Sequence, residues 1–214
     1  DTVSLTAALS ANLSAATAFE ADIANFERLA AGAYADLNTG NGTTINLANL
    51  DDINYVTVAG SAAQNKAEAL IISGFTTGGT YRQTALLNTN ANQAITGTFT
   101  GASDVMNLAV SAANGFANVG SLTVAAIETI NINTDDTDTA VATTMVDLNM
   151  DAAAVTTINI TGDIGVTFAN GTHAAVTTMD ASGVTATGAA GVTTFTGTAA
   201  ATITGGSGND ALTG

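Results

Sequence analysis

The segment IETINI (127–132) and its near-copy VTTINI (155–160) carry the pattern that decides the fold, with apolar residues at the first, fourth and sixth positions. The pattern recurs in INYVTV (53–58) and, more weakly, in VTTMDA (176–181) and VTTFTG (192–197). The fourth and sixth positions alternate as in a strand, whereas the first is out of phase, which predicts a bend near the second or third residue. The starts at 127, 155, 176 and 192 are 28, 21 and 16 residues apart. This uneven spacing favours a solenoid with corner loops of variable length.

Stacking these units in register predicts two ladders of side chains. An interior ladder would contain Ile130, Ile158, Met179 and Phe195, and a ladder on the opposite side of the strands would contain Asn131, Asn159 and Asp180. Stacked asparagines can share side-chain hydrogen bonds from layer to layer. The chain has no proline to interrupt such ladders. We therefore predict an all-β fold, a right-handed parallel β-helix (β-solenoid) with irregular coils.

Residues 5–33 fit this pattern less well. Apolar residues recur there at near-helical intervals, namely Leu5, Leu9, Leu13, Phe19, Ile23 and Phe26. Against a helix, FERL (26–29) has the same apolar-Glu-x-apolar form as IETI (127–130). Two alternatives remain open for this region, a short helix within 12–25 or a further strand unit.

The charge of the chain limits its partners. Three basic residues, Arg28, Lys66 and Arg82, stand against eighteen acidic ones, so the formal net charge is −15. This charge argues against nucleic acid or an anionic membrane as a partner and favours cations, because divalent ions held by carboxylates would reduce the self-repulsion and stabilise the fold. The absence of cysteine leaves the compartment undecided. No apolar stretch is long enough for a membrane helix, and Asp1 does not begin a signal segment.

The last ten residues, GGSGNDALTG (205–214), contain a recognisable motif. All fixed positions of the calcium-binding nonapeptide G-G-x-G-x-D-x-U-x of parallel β-rolls are filled, by Gly205, Gly206, Gly208, Asp210 and Leu212. We therefore predict a β-roll turn of this kind at the C-terminal end. A single copy supplies only half of a calcium cage, so the rest would come from a neighbouring coil or another molecule. The alternative is a glycine-rich turn with a capping aspartate.

A resemblance to a known family extends over more of the chain. The segments that carry it are TGASDVMNLAV (100–110), IETININTDDTDT (127–139), VTTINITGD (155–163), VTTMDASGVT (176–185) and ITGGSGNDALTG (203–214). In kind and order they resemble the C-terminal, lattice-forming part of RTX-type calcium-binding surface-layer (S-layer) proteins of Gram-negative bacteria, the RsaA-like family. The predicted organisation is a loosely matching solenoid segment at 1–100, an S-layer-like solenoid segment at 101–204, and the nonapeptide at 205–214 as the start of a further β-roll.

The resemblance implies a secreted structural protein. Such proteins leave the cell by type I secretion, bind Ca²⁺ and self-assemble with lattice neighbours into a two-dimensional layer on the cell surface. The family's lipopolysaccharide-anchoring region and C-terminal secretion signal would lie in the rest of the parent chain, on either side of this sequence. In the family's nonapeptide, glycine carbonyls and the aspartate carboxylate bind the metal, which assigns Gly206, Gly208 and Asp210 as ligands here.

Other acidic residues are further candidate metal ligands. Asp135, Asp136 and Asp138 follow a predicted strand, and the 136/138 spacing resembles an Asp-Thr-Asp turn of the family; a solvated acidic turn is the alternative. Glu27 and Glu128 take the second position of a strand unit, where strict alternation points them inward; they are calcium ligands or bend residues open to water. Asp104 and Asp180 lie in or beside glycine- or serine-containing corners, and for Asp104 an Asx-turn is the favoured role.

Two other functional classes compete with the structural one. An enzyme on a β-helix needs an acid–base set along one groove, whereas the histidine, lysine, arginines and tyrosines here are scattered; His173 is alone and is predicted in a surface loop. We therefore predict no enzyme activity, although an accessory domain of a secreted carbohydrate-active enzyme remains an alternative. An adhesin or ice-binding module would use threonine-rich faces such as TGTFTG (96–101), but the uneven 28, 21 and 16 spacing argues against a flat array.

Overall fold

The computed structural model describes residues 1–22, 24–33, 43–59, 69–84, 92–112, 121–137, 145–168, 173–191, 193–197 and 201–214. These residues are almost entirely β-structure, and every strand pairing between them is parallel. Parallel pairing between strands that are one coil apart is the defining feature of a β-solenoid. The predicted solenoid fold is therefore confirmed.

The strands of the described residues are short. In chain order they are β1 (Thr2–Ser4), β2 (Arg28–Ala33), β3 (Thr43–Asn46), β4 (Tyr55–Ala59), β5 (Ala69–Phe75), β6 (Gly79–Gln83), β7 (Asn92–Gly97), β8 (Val105–Ala112), β9 (Ser121–Val124), β10 (Thr129–Asp136), β11 (Val146–Asp147), β12 (Asn149–Asp151), β13 (Thr157–Gly162), β14 (Val166–Thr167), β15 (Thr178–Val184), β16 (Thr194–Thr196), β17 (Thr202–Thr204) and β18 (Ala211–Thr213). Short 3-10 helices occupy Leu47–Asn49 and Gly188–Gly191.

The described strands form three sheets. Sheet A has nine strands in the order β1-β2-β4-β6-β8-β10-β13-β15-β17, sheet B has the order β12-β9-β7-β5-β3, and sheet C has the order β11-β14-β16-β18. Sheet A therefore runs from residue 2 to residue 204 as one surface. The opposite side of the solenoid changes from sheet B to sheet C within one coil, because β11 belongs to sheet C and β12 to sheet B.

The register of sheet A explains the sequence pattern. Ile130 of β10 pairs with Met106 of β8 and with Ile158 of β13, which in turn pairs with Met179 of β15. The corner loops absorb the differences in coil length, since successive coils place stacked residues 24, 28 and 21 apart in the chain. Strand stacking therefore stays regular although the sequence spacing is not.

The interior ladder is confirmed for three of its four predicted members. Ile130, Ile158 and Met179 are buried in the common core, with at most 1% of each residue exposed. The assignment of Phe195 to this ladder was wrong, because Phe195 lies in β16 of sheet C and pairs with Leu212. Met179 pairs instead with Ile203 of β17. The 16 residues between Val176 and Val192 are too few for a full coil, so the chain reaches only the opposite side of the solenoid.

The N-terminal region is helical where two alternatives were open. Helix α1 (Ala7–Ser14) begins after Thr6, whose hydroxyl accepts a hydrogen bond from the Leu9 N–H at 3.1 Å, and α2 (Ala18–Asp22) follows it. The N-cap satisfies one of the free N–H groups of the first turn. Helix α1 packs against β2 and β3, near the edge strands of sheets A and B. No helix in the described part of the chain has the length and apolarity to cross a membrane.

Candidate functional site

The nonapeptide turn before β18 is organised around Asp210. The Asp210 carboxylate accepts hydrogen bonds from the Thr193 N–H at 2.7 Å and from the Gly206 N–H at 2.8 Å. Thr193 belongs to the preceding coil, so this carboxylate links two coils. Glycine is required at Gly206, because a Cβ there would lie 2.8 Å from the Val184 Cβ and 2.9 Å from the Ala181 carbonyl oxygen. Each carboxylate oxygen keeps a further lone pair that a cation could use.

Asp104 and Glu128 occupy the same corner of successive coils, just before β8 and β10. Asp104 is 7% exposed, and its carboxylate accepts from the Gly101 N–H at 2.8 Å. The Asp104 N–H donates to the Glu128 carboxylate at 2.9 Å, while its carbonyl oxygen accepts from the N–H groups of Glu128 and Thr129. The side chain thus folds back onto its own turn, as an Asx-type residue does. The corner brings two carboxylates together on adjacent coils.

Asp135 and Asp136 lie at the end of β10 rather than after it. The Asp135 carboxylate accepts from the Ser111 hydroxyl at 3.0 Å, and Ser111 accepts from the Arg82 guanidinium at 3.1 Å. The Asp136 N–H donates to the Asp163 carboxylate of the next coil at 2.9 Å. Consecutive strand residues point to opposite sides, so Asp135 and Asp136 do not form one site by themselves. Asp138, their predicted third partner, lies outside the described residues.

Glu27 and Asp180 are separate from these corners. Glu27 precedes β2, its side chain is 66% exposed, and it pairs with the N-terminal amine. The expectation that it points inward was wrong, because strand alternation begins only at Arg28. Asp180 lies in β15 and accepts a hydrogen bond from the Ser182 N–H at 2.9 Å. Hydrogen bonds from the Ser182 side chain and N–H lower the pKa of Asp180.

The predicted ligands therefore come together only in small groups. Among the described residues, no group of three or more His, Cys, Asp or Glu side chains is placed to hold a metal ion. The corners offer one or two carboxylates each, together with the carbonyl oxygens of their turns. A hard cation takes six to eight oxygens, so carbonyls, water and groups from a neighbouring coil or copy would have to complete its coordination.

His173 is buried, contrary to the predicted surface loop. It is 8% exposed, and its ring centroid lies 5.3 Å from that of Phe168 and 5.8 Å from that of Phe195. Its Nε2 atom is buried without a hydrogen-bond partner. Burial lowers the pKa of His173 from its ordinary value of 6.5, and the charge of Asp151 opposes this shift. The local sequence NGTHAAV gives no sign of burial, since the two phenylalanines come from other segments.

The stability of the chain is expected to fall on mild acidification because of His173. The lowered pKa means that the unfolded state binds this proton more tightly, so the stability contribution is complete above pH 6.5 and is lost as the pH falls through 6.5 toward the folded pKa. The loss is at most about 1.4 kcal/mol per pH unit. Urea unfolding of the wild type and of His173→Gln between pH 7.5 and 5 measures it, with pH values that stay above the ordinary pKa of Asp180. An equal loss in both proteins would contradict the assignment.

Polar rows cover the outer face of sheet A. The predicted register of Asn131, Asn159 and Asp180 is confirmed, and Asn107 extends the row by one coil. The Asn159 amide donates to Asn131 at 2.9 Å, and the Asn131 amide donates to Asn107 at 3.0 Å. A parallel row is formed by threonines of β10, β13, β15 and β17, namely Thr129, Thr157, Thr178 and Thr202. The uneven sequence spacing does not prevent a regular array, because the loops absorb it.

These features define a parallel β-solenoid with acidic corners and a regular polar outer face. No protein-family model, no curated protein and no solved structure matches the chain.

Proposed function

We propose that the chain is a structural segment of an extracellular surface layer that binds Ca²⁺ at its corners and self-assembles into a two-dimensional lattice. The Asp210 turn supports this proposal most directly. Its carboxylate lies between two coils, and close-packed glycine backbone surrounds it, so a cation bound there would tie the last coil to the preceding one. Type I secretion and the surface location belong to the same proposal and rest on the sequence resemblance alone.

Charge supplies the second argument for a bound cation. The chain carries a formal charge of −15, and only Arg28 and Arg82 are basic in the part of the chain that the structure describes. Carboxylates are stacked on neighbouring coils at the corner of Asp104 and Glu128, and at that of Asp136 and Asp163. Strand separations of about 4.8 Å hold such groups close together, so divalent ions would relieve the repulsion between them. We assign no catalytic role to these corners.

Calcium is expected to raise the melting temperature, and chelation with EDTA is expected to lower it. A ligand at about 100 times its dissociation constant stabilises the folded state by about 2.7 kcal/mol. Asp210→Ala and Asp136→Ala should reduce the difference between the calcium and EDTA melting temperatures, whereas Asp151→Ala, exposed on β12, should preserve it. Because Asp210→Ala also removes two hydrogen bonds, this difference is the readout rather than the melting temperature itself. Identical melting in calcium and EDTA would overturn the proposal.

The adhesin module is a second candidate, favoured by the threonine and asparagine rows of sheet A. The two functions differ in what calcium does at high protein concentration. A surface-layer segment forms sheets or filaments that electron microscopy detects and that EDTA dissolves. An adhesin module remains monomeric in calcium and binds a glycan or another external ligand.

A further inference from the structure

Four charged residues on the outer face of sheet A are arranged by sign. Arg28 lies in β2 and Arg82 in β6, whereas Asp135 lies in β10 and Asp180 in β15. Of the described residues, these two arginines are the basic ones, and both lie on this face. Arg28 lies over the Tyr55 ring at 4.6 Å, and Ser111 bridges Arg82 to Asp135. The face is therefore cationic toward β1 and anionic toward β17.

The arrangement is symmetric about the central strand. In the nine-strand order of sheet A, β8 is fifth; β6 and β10 are its direct neighbours, and β2 and β15 each lie three strands away. Arg28 and Asp180 also belong to one row along the sheet, as the register shows. That row contains Arg28, Tyr55, Thr80, Asn107, Asn131, Asn159 and Asp180. The opposite signs thus occur at equal distances on either side of β8.

We infer that a second copy of the chain packs face to face against sheet A, about a two-fold axis that runs parallel to the strands through β8. Such an axis reverses the strand order and keeps the position along the strands. It therefore places Arg28 of one copy opposite Asp180 of the other, and Arg82 near Asp135. A two-fold interface repeats each contact, so two kinds of pair give four attractions.

The size of the face suits a specific interface. Nine strands separated by about 4.8 Å give a width of about 38 Å, and strands of about five residues are about 17 Å long. Each copy would then bury about 650 Å², and both together about 1,300 Å², which lies within the range of specific protein interfaces. The asparagine row satisfies its amides within the chain, so contact between two such rows leaves few polar groups without partners.

Charge reversal on one half of the face tests the inference. Arg28→Asp with Arg82→Asp makes the face wholly acidic, and Asp135→Arg with Asp180→Arg makes it wholly basic. Each variant alone is expected to dimerise about 100-fold more weakly than the wild type, because four attractive pairs become repulsive. An equimolar mixture of the two variants should restore the dimer. Sedimentation velocity at low and high salt measures all of these states.

The mixture also controls for folding, because a misfolded variant would not restore association. Asp151→Arg is the control for net charge, since Asp151 is exposed on β12 outside sheet A, and it should leave dimerisation unchanged. Wild-type protein that remains monomeric at low salt, or variants that dimerise as well as the wild type, would overturn the inference. A monomeric protein that binds a glycan through this face would assign the face to an adhesin.

The inference rests on the proposed function only in that copies of the chain associate. The two fail separately when each measurement is made in calcium and in EDTA. A salt-sensitive dimer that persists in EDTA supports the two-fold contact even if calcium has no effect on melting. A calcium-dependent lattice that tolerates both pairs of substitutions supports the proposed function and rejects this contact.

Discussion

Replacing Gly162 with alanine is expected to destabilise the solenoid by about 3 kcal/mol, the sum of backbone strain and steric overlap. Gly162 ends β13 with a φ of +126°, a conformation that residues with a Cβ rarely adopt. A Cβ at this position would overlap the carbonyl oxygen of Thr134 and lie 2.5 Å from its Oγ1. Thr134 cannot withdraw easily, because its hydroxyl donates to the Ile164 carbonyl oxygen at 2.6 Å and its carbonyl oxygen accepts from the Asp163 N–H.

Gly188→Ala is the matched control. Gly188 has a φ of +69°, but nothing lies within 4 Å of its Cβ position. Only the left-handed backbone penalty then applies, about 1 kcal/mol. Urea unfolding of both variants separates the conformational cost from the cost of close coil packing. Equal destabilisation by the two substitutions would show that the close approach of Gly162 to Thr134 does not matter for stability.

The strand ladder of sheet A could be predicted because it depends on local alternation. Ile130, Ile158 and Met179 each follow two polar residues and precede another outward-facing one, so their positions in the sequence fix the side on which they lie. Phe195 has the same local pattern but belongs to sheet C. The pattern fixes which residues point inward, whereas the length of the preceding loop decides which side of the solenoid the strand joins. The 16-residue interval was the signal that could have separated the two cases.

The candidate sites were less predictable, because they depend on contacts between coils. Asp210 and Asp104 could be assigned to turns from the glycines and serines beside them, and both accept backbone N–H groups as turn residues do. The bridge from Arg82 through Ser111 to Asp135 joins three coils and leaves no trace in the local sequence. The burial of His173 has the same origin, since Phe168 and Phe195 reach it from separate segments.

Phe195→Ala is expected to destabilise the C-terminal coils by about 3–5 kcal/mol, the usual cost of removing a fully buried aromatic side chain. Phe195 is 0% exposed, and its ring packs edge-on against Phe168 with centroids 5.7 Å apart. The ring of His173 also packs against it. Removal of Phe195 therefore opens a cavity between β16 and the neighbouring coils, and close-packed strands that are tied by backbone hydrogen bonds cannot collapse to fill it.

The effect should be confined along the solenoid axis. Each coil contacts only its neighbours, so lost contacts lower the stability of adjacent coils far more than that of distant ones. Hydrogen exchange is expected to show reduced protection in β14, β16 and β18 and nearly unchanged protection in β4 and β6. Thr196→Ala, one residue away and exposed, should leave both regions unchanged. A uniform loss of protection from β4 to β18 would show instead that the coils unfold as one cooperative unit, and local packing at Phe195 would then govern the stability of the entire stack.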